Sequence, residues 1–298
     1  MSFEFPLPGY SPAVTVSVNL GVLDEIRASW KAGKDLDEAT FQQLLIKFPA
    51  FENWVQTLQN DLRLQAQETH PFHEWPYFLR SIQIQSVNWW GDLNKPSGFI
   101  TMKASIQNNN PKAVTKELPG VVFLRGGSVA VLMILTPKDD PEEKWVVMTM
   151  QPRVPAGNLS FWEIPAGMLD DATKTVALKA LAETEEETGL KIPYDELKDK
   201  DMTKLALESA TVNRNLQPAM YPSPGGSDEY IHLFVWEKQM SRQNIEDLKD
   251  KLTGLRAQGE MITLKLVLYE DLWKEGARDA KTLAAWALYE GLKREGKL

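Results

Sequence analysis

The sequence contains no cysteine, which excludes disulfides, thiolate zinc sites, iron–sulfur clusters and cysteine nucleophiles together. It has only three histidines, His70, His73 and His232, too few for a histidine-rich metal centre. Positive charge is also short. With 33 Lys and Arg against 41 Asp and Glu the net charge is −8, so no broad cationic surface is expected to neutralise a phosphate backbone, and nucleic acid is not an expected partner. Long apolar runs are missing. The longest, Val129 to Leu135, falls well short of the ~20 residues of a membrane span, so no membrane association is expected. The opening MSFEFPLPGY has an acid and prolines where a signal peptide has a basic residue and an apolar stretch, and a cytoplasmic location is expected. Chemistry is left to carboxylates, with a hard metal ion as their partner.

What is present suggests two domains, since 298 residues is about twice the ~150 of an average one. The stretch to about Ser17 reads as an extended arm. From Asp37 to Leu64 apolar residues recur at helical spacing and break at Pro49, which predicts two helices. Between Tyr77 and Ile106 the period falls to two around the turn-rich Gly91-Asp92-Leu93-Asn94, a β-hairpin. The polar segment Gln107–Leu118 is the expected domain boundary, giving an N-terminal α+β domain over 1–118 and a second domain over 119–298. Strands are predicted at Val121–Leu124, Val129–Leu135, Val146–Met150, Leu205–Ala210, Ile231–Trp236 and Ile262–Leu268. Helices are predicted from about Ala172 to Thr188, where Gly189 should stop the helix, around Arg242–Leu252 and at Ala280–Arg294.

Glu183, Glu185, Glu186 and Glu187 crowd the end of the helix that Gly189 stops. A helix C-terminus is the negative end of its dipole, so each carboxylate there costs a few tenths to ~1 kcal/mol, and stability alone would not choose them. Glu183 and Glu187 share one face at i, i+4, with Glu186 beside them, an oxygen-rich edge suited to Mg²⁺ or Mn²⁺. A second loop, Pro222-Ser223-Pro224-Gly225-Gly226, leads to Asp228 and Glu229. Its glycines would permit unusual backbone angles and close approach to a ligand. Gly126-Gly127-Ser128 is not read as a nucleophile elbow, because it lies between two strands.

Glu183, Glu186, Glu187, Gly189 and Leu190, following Gly167, resemble the signature of the Nudix hydrolases. Ala182 stands where that family has arginine, Thr184 where it has an aliphatic residue, and the spacer from Gly167 is one residue longer. Gln151-Pro152-Arg153, Trp162-Glu163-Ile164-Pro165-Ala166-Gly167-Met168-Leu169-Asp170-Asp171, Tyr221 to Glu229 and Gly254-Leu255-Arg256 look like the ADP-sugar diphosphatase branch. The resemblance implies an α/β fold, an α/β/α sandwich with a mixed sheet preceded by a smaller α+β dimerisation domain, and a homodimer. It implies metal-dependent hydrolysis of ADP-ribose or ADP-glucose to AMP and a sugar phosphate. Glu183, Glu187 and the Ala166 carbonyl would hold Mg²⁺ or Mn²⁺, with Glu186 a further ligand or the holder of a catalytic water. Glu229 would be the general base, with Asp228 as rival. Arg125 and Arg153 resemble residues that meet the diphosphate or nucleotide; Glu163 would contact adenine or orient an arginine, and Trp162 would stack on a base or fill the core. Gly225, Gly226 and Asp228 would line the substrate. Two alternatives stay open: a non-catalytic module that binds nucleotides or proteins, motivated by Ala182 and the longer spacer, and a hydrolase of another diphosphate such as NADH or a dinucleoside polyphosphate.

Overall fold

The structure, a computed structural model, describes residues 2–112, 116–169, 175–208, 210, 215–255 and 259–298. Its backbone falls into two units, Met1–Gly126 with Ser223–Glu229, and Gly127–Pro222 with Tyr230–Leu298.

The first unit runs β1 (Ser2–Pro6), β2 (Thr15–Asn19), α1 (Leu20–Ser29), α2 (Glu38–Lys47), α3 (Pro49–Leu64), β3 (Phe78–Asp92), β4 (Lys95–Gln107), β5 (Glu117–Leu118) and β6 (Val121–Leu124). The expected arm is strand: β1 pairs antiparallel with β2, which runs parallel to β3. Pro49 begins α3, a position where its missing N–H leaves no helical bond unmade. The β3–β4 hairpin closes at Leu93-Asn94, where Asp92 accepts the Asn94 N–H at 2.7 Å. Period-two alternation along β4 places Ile100, Met102 and Ala104 in one core with Leu23 and Ile26 of α1, Phe41 of α2 and Phe51 of α3. β6 pairs with β4, so the run expected to open the second sheet belongs to the first. A four-residue apolar strand has nothing in its own sequence to name its partner.

The second unit begins with β7 (Gly127–Pro137), β8 (Trp145–Arg153), β9 (Asn158–Glu163), β10 (Ala166–Met168), α4 (Val176–Thr188), α5 (Tyr194–Leu197) and α6 (Met202–Leu207). It continues through β11 (Tyr230–Met240), α7 (Arg242–Glu246), β12 (Leu252–Thr253), β13 (Ile262–Leu268), α8 (Leu272–Glu275) and α9 (Ala280–Arg294). β7 is apolar along its length because both its faces are covered. Val129, Val131 and Met133 join a core with Ala177 and Ala180 of α4, while Ala130, Leu132 and Ile134 join another with Ala285 and Tyr289 of α9. The sheet is mixed: β11 runs parallel to β7, whereas β8, β9, β10 and β13 pair antiparallel with their neighbours. This is the α/β/α sandwich that the sequence led us to expect.

Two elements differ from expectation. The Leu205–Ala210 run is not a strand: α6 occupies Met202–Leu207, capped by Asp201, which accepts the Lys204 N–H at 3.1 Å. A short apolar run reads alike in both states, and here the cap decides. The helix expected around Arg242–Leu252 ends at Glu246. Ala172, the expected start of α4, lies outside the described residues, as do Asp170, Asp171 and Arg256.

Candidate active site

The end of α4 meets β10 and β8 at the glutamates. Gly189, at φ +72°, closes the helix by donating its N–H to the Glu185 carbonyl at 2.8 Å. Glu187 is buried and accepts hydrogen bonds from the Ala166 N–H at 2.9 Å and from Gln151 Nε2 at 3.2 Å. Both donors are neutral. Burial pushes the Glu187 carboxyl up to about 8, with the charge of Glu163 adding and the two hydrogen bonds and Arg153 opposing. One turn earlier Glu183 pairs with Lys179 at 2.9 Å, so a lysine supports it where the Nudix signature has an arginine one residue before; Ala182 is exposed. A Cβ at Gly167 would lie 2.0 Å from the Glu183 carboxyl carbon, so this glycine makes the room into which that carboxylate lies. Thr184, at the aliphatic position, is fully buried with its hydroxyl donated to the Ala180 carbonyl at 2.8 Å. Glu186 is exposed.

Strand alternation places Thr149 and Gln151 on one face of β8, and β9 sets Glu163 opposite Thr149. Gln151 Nε2 also donates to Thr149 Oγ1 at 3.2 Å. Glu163 is 2% exposed and holds two cations, one on each oxygen: Arg153 on Oε1, and Lys281 of α9 on Oε2 at 2.5 Å. Glu163 is thus paired with Arg153. Trp162 is half-buried against the α9-side core, with Lys265 Nζ 5.9 Å from its ring. Sequence reading missed Gln151 and Lys281. The available signals were polar residues at alternate positions of an otherwise apolar strand, and a helix start at Asp279.

The loop Ser223–Glu229 belongs to the first unit. The Phe123 N–H donates to the Gly226 carbonyl at 2.8 Å. Asp228 Oδ1 accepts the Arg125 N–H at 2.7 Å and the Gly126 N–H at 3.1 Å, its carboxyl held up by burial against those bonds. Asp228 is therefore occupied in clamping the chain. Glu229 pairs with Arg125 Nη1 at 3.1 Å, while Arg125 Nε is buried and makes no hydrogen bond. Neither Gly225 nor Gly226 has a positive φ, and a Cβ on either would meet open space; the backbone freedom expected of them is not used.

Carboxylates and a backbone carbonyl are donors that suit Mg²⁺ or Mn²⁺. The fit rests on Glu187, a buried carboxylate bonded only to neutral donors, and on the space at Gly167. Among the described residues no three His, Asp or Glu side chains already converge as a ligand shell.

No family model matches the chain. The protein named Nudix hydrolase 14, chloroplastic, from Arabidopsis thaliana is 37% identical over 246 residues, 83% of this chain and 71% of that one. Among solved structures, an ADP compounds hydrolase is 14% identical with a TM-score of 0.37, over 74% of this chain and 99% of that one. A MutT/nudix family protein from Enterococcus faecalis is 14% identical with a TM-score of 0.30 over 48% of this chain, which spans 43% of that protein's length.

Proposed function

Because this chain belongs to the Nudix hydrolase family, we propose that it hydrolyses the diphosphate of an ADP-sugar, ADP-ribose or ADP-glucose, to AMP and a sugar phosphate. The observation that carries the reading is the pairing of two carboxylates of one helix face with β10: Glu187 on the Ala166 N–H, and Glu183 in the space left by Gly167. We propose Glu183, Glu187 and the Ala166 carbonyl as ligands of Mg²⁺ or Mn²⁺, with Glu186 contributing. A divalent cation held there supplies screening of the diphosphate charge and a more acidic water. Gln151 and the Ala166 N–H fix the Glu187 carboxylate, and Lys179 fixes Glu183. Arg153, anchored on one side by Glu163, offers its remaining N–H donors to an anion. Trp162 is a candidate to stack on the base.

Glu229 is the proposed general base in preference to Asp228, since Asp228 is taken up by two backbone N–H groups. The role asks Glu229 to give up or share its pairing with Arg125, which then serves the substrate. Gly225 and Gly226, open on their Cβ side, are proposed to let substrate approach the backbone. A homodimer built on the first unit and a cytoplasmic location complete the proposal; no helix of the described residues is long and apolar enough to cross a membrane.

The test is release of nucleotide products, AMP from ADP-ribose, ADP-glucose and NADH, UMP from UDP-glucose, and adenine nucleotides from diadenosine polyphosphates, with Mg²⁺ or Mn²⁺. Preference for the ADP-sugars is expected. Faster turnover of NADH or a dinucleoside polyphosphate would move the assignment to another diphosphate, and no turnover of any would leave a binding module.

A further inference from the structure

Lys281 stands at the start of α9, far along the chain from every residue of the signature, yet its ammonium reaches the carboxylate that anchors Arg153. Its place is tightly determined. Asp279 caps α9, accepting the Thr282 N–H at 3.2 Å and the Thr282 hydroxyl at 2.5 Å, and pairs with Lys281 at 3.0 Å. Thr282 Oγ1 in turn accepts the Ile164 N–H at 3.2 Å, so the helix start is bonded to the residue that follows Glu163. A Cβ at Gly276 would lie 2.4 Å from Thr282, which shows how closely the preceding turn packs there.

The charges in this group have unequal access to water. The Glu163 side chain is 3% exposed, Lys281 12% and Arg153 39%. A buried carboxylate needs a cation beside it. If Arg153 were its only partner, an incoming phosphate would compete with Glu163 for the same guanidinium. With Lys281 on the second oxygen, Glu163 stays compensated while the outward donors of Arg153 turn to an anion. Charge balance points the same way, because Arg153 and Lys281 are matched by Glu163 and Asp279, and substrate need not break a pair to bind.

We propose that Lys281 is a positioning residue that, through Glu163, keeps Arg153 available to the substrate's diphosphate. The inference rests on the diphosphatase reading above, and its test separates the two. Lys281→Met, Lys281→Gln, Lys281→Arg, Glu163→Gln and the Lys281→Met/Glu163→Gln pair would be compared with wild type. The readouts are KM and kcat for ADP-ribose with Mg²⁺, melting temperature, and calorimetric affinity for inorganic pyrophosphate without metal.

Lys281→Met and Lys281→Gln should raise KM by about tenfold while kcat changes by less than about threefold, the pattern of binding lost equally from ground and transition states. Pyrophosphate affinity should fall by a similar factor, and Lys281→Arg should recover most of both. With Glu163 already neutral, removing Lys281 should have no further effect on either. A variant with lower melting temperature but unchanged KM and pyrophosphate affinity would make Lys281 only a pin between helix and strand. An equal loss in the Glu163→Gln background would mean that Lys281 meets the substrate directly, which overturns the route through Glu163. If wild type turned over no ADP-sugar, the functional reading would fail and the pyrophosphate arm would still decide the inference. Wild type that bound neither pyrophosphate nor ADP-ribose would overturn both.

Discussion

Glu187 is the residue at which metal, pH and stability meet. A carboxyl whose pKa is higher in the folded than in the unfolded chain costs nothing below the unfolded value, and costs progressively more as pH rises from the unfolded to the folded value, because the unfolded chain has given up the proton that the fold still holds. For Glu187 that window runs from 4.5 to about 8. Metal-free protein should therefore lose stability as pH rises across it, and Glu187→Gln should flatten the profile; thermal melts in EDTA from pH 4.5 to 8.5 would show this. Mg²⁺ binding at pH 7 should release protons, detectable by calorimetry in buffers of different ionisation enthalpy. The same substitution should lower turnover by at least about a hundredfold through lost metal binding, with the fold intact. A Glu187→Gln variant as active as wild type would remove the metal-site proposal. The glutamates and Gly189 could be read from the sequence because their spacing is local to one helix. Gln151 and Lys281 left only weak signals, because each acts across the fold from a residue type common on any surface, and only the paired strands and the cap at Asp279 bring them to carboxylates.

Among the elements, β10 and the end of α4 depend on a missing side chain. Gly167→Ala would drive a methyl group into the Glu183 carboxylate; metal affinity and rate should both fall, with little change in the circular dichroism of the sheet. In the loop, Asp228→Ala should destabilise by about 1–3 kcal/mol, since it leaves backbone N–H groups of Arg125 and Gly126 without their acceptor. Glu229→Gln should instead leave melting and Mn²⁺ affinity near normal and depress single-turnover AMP formation by ~10²–10⁴. Reversal of those two phenotypes would exchange the roles of the neighbours. Helices and strands with a long period were legible in the sequence: α2, α3, α9 and the β3–β4 hairpin follow their apolar spacing closely. The short runs were not. Leu205–Leu207 turns helical because Asp201 caps it, and the pairing of Val121–Leu124 with β4 is decided by tertiary contacts that no local pattern records.

At the scale of the whole molecule, the first unit leaves Trp90, Val121 and Phe123 exposed, with Trp90 and Phe123 each about 5.3 Å from the Phe99 ring. An apolar patch of this kind is the basis for the proposed homodimer. Sedimentation at micromolar concentration should give a dimer mass, and Val121→Arg should shift it toward monomer. A wild-type chain that sediments as monomer would count against the dimer. Two units were expected from length, but the loop's membership was not, because Ser223–Glu229 is enclosed in sequence by the second unit while its bonds go to Phe123, Arg125 and Gly126 of the first. That arrangement has a consequence for local opening. Amide protons exchange with solvent in cooperative groups set by hydrogen bonding rather than by sequence order. The amides of Phe123, Arg125, Gly126 and Asp228 should thus exchange together at the pace of the first sheet, while Ile231 and Leu233, a few residues further on in β11, keep the slower or faster pace of the second.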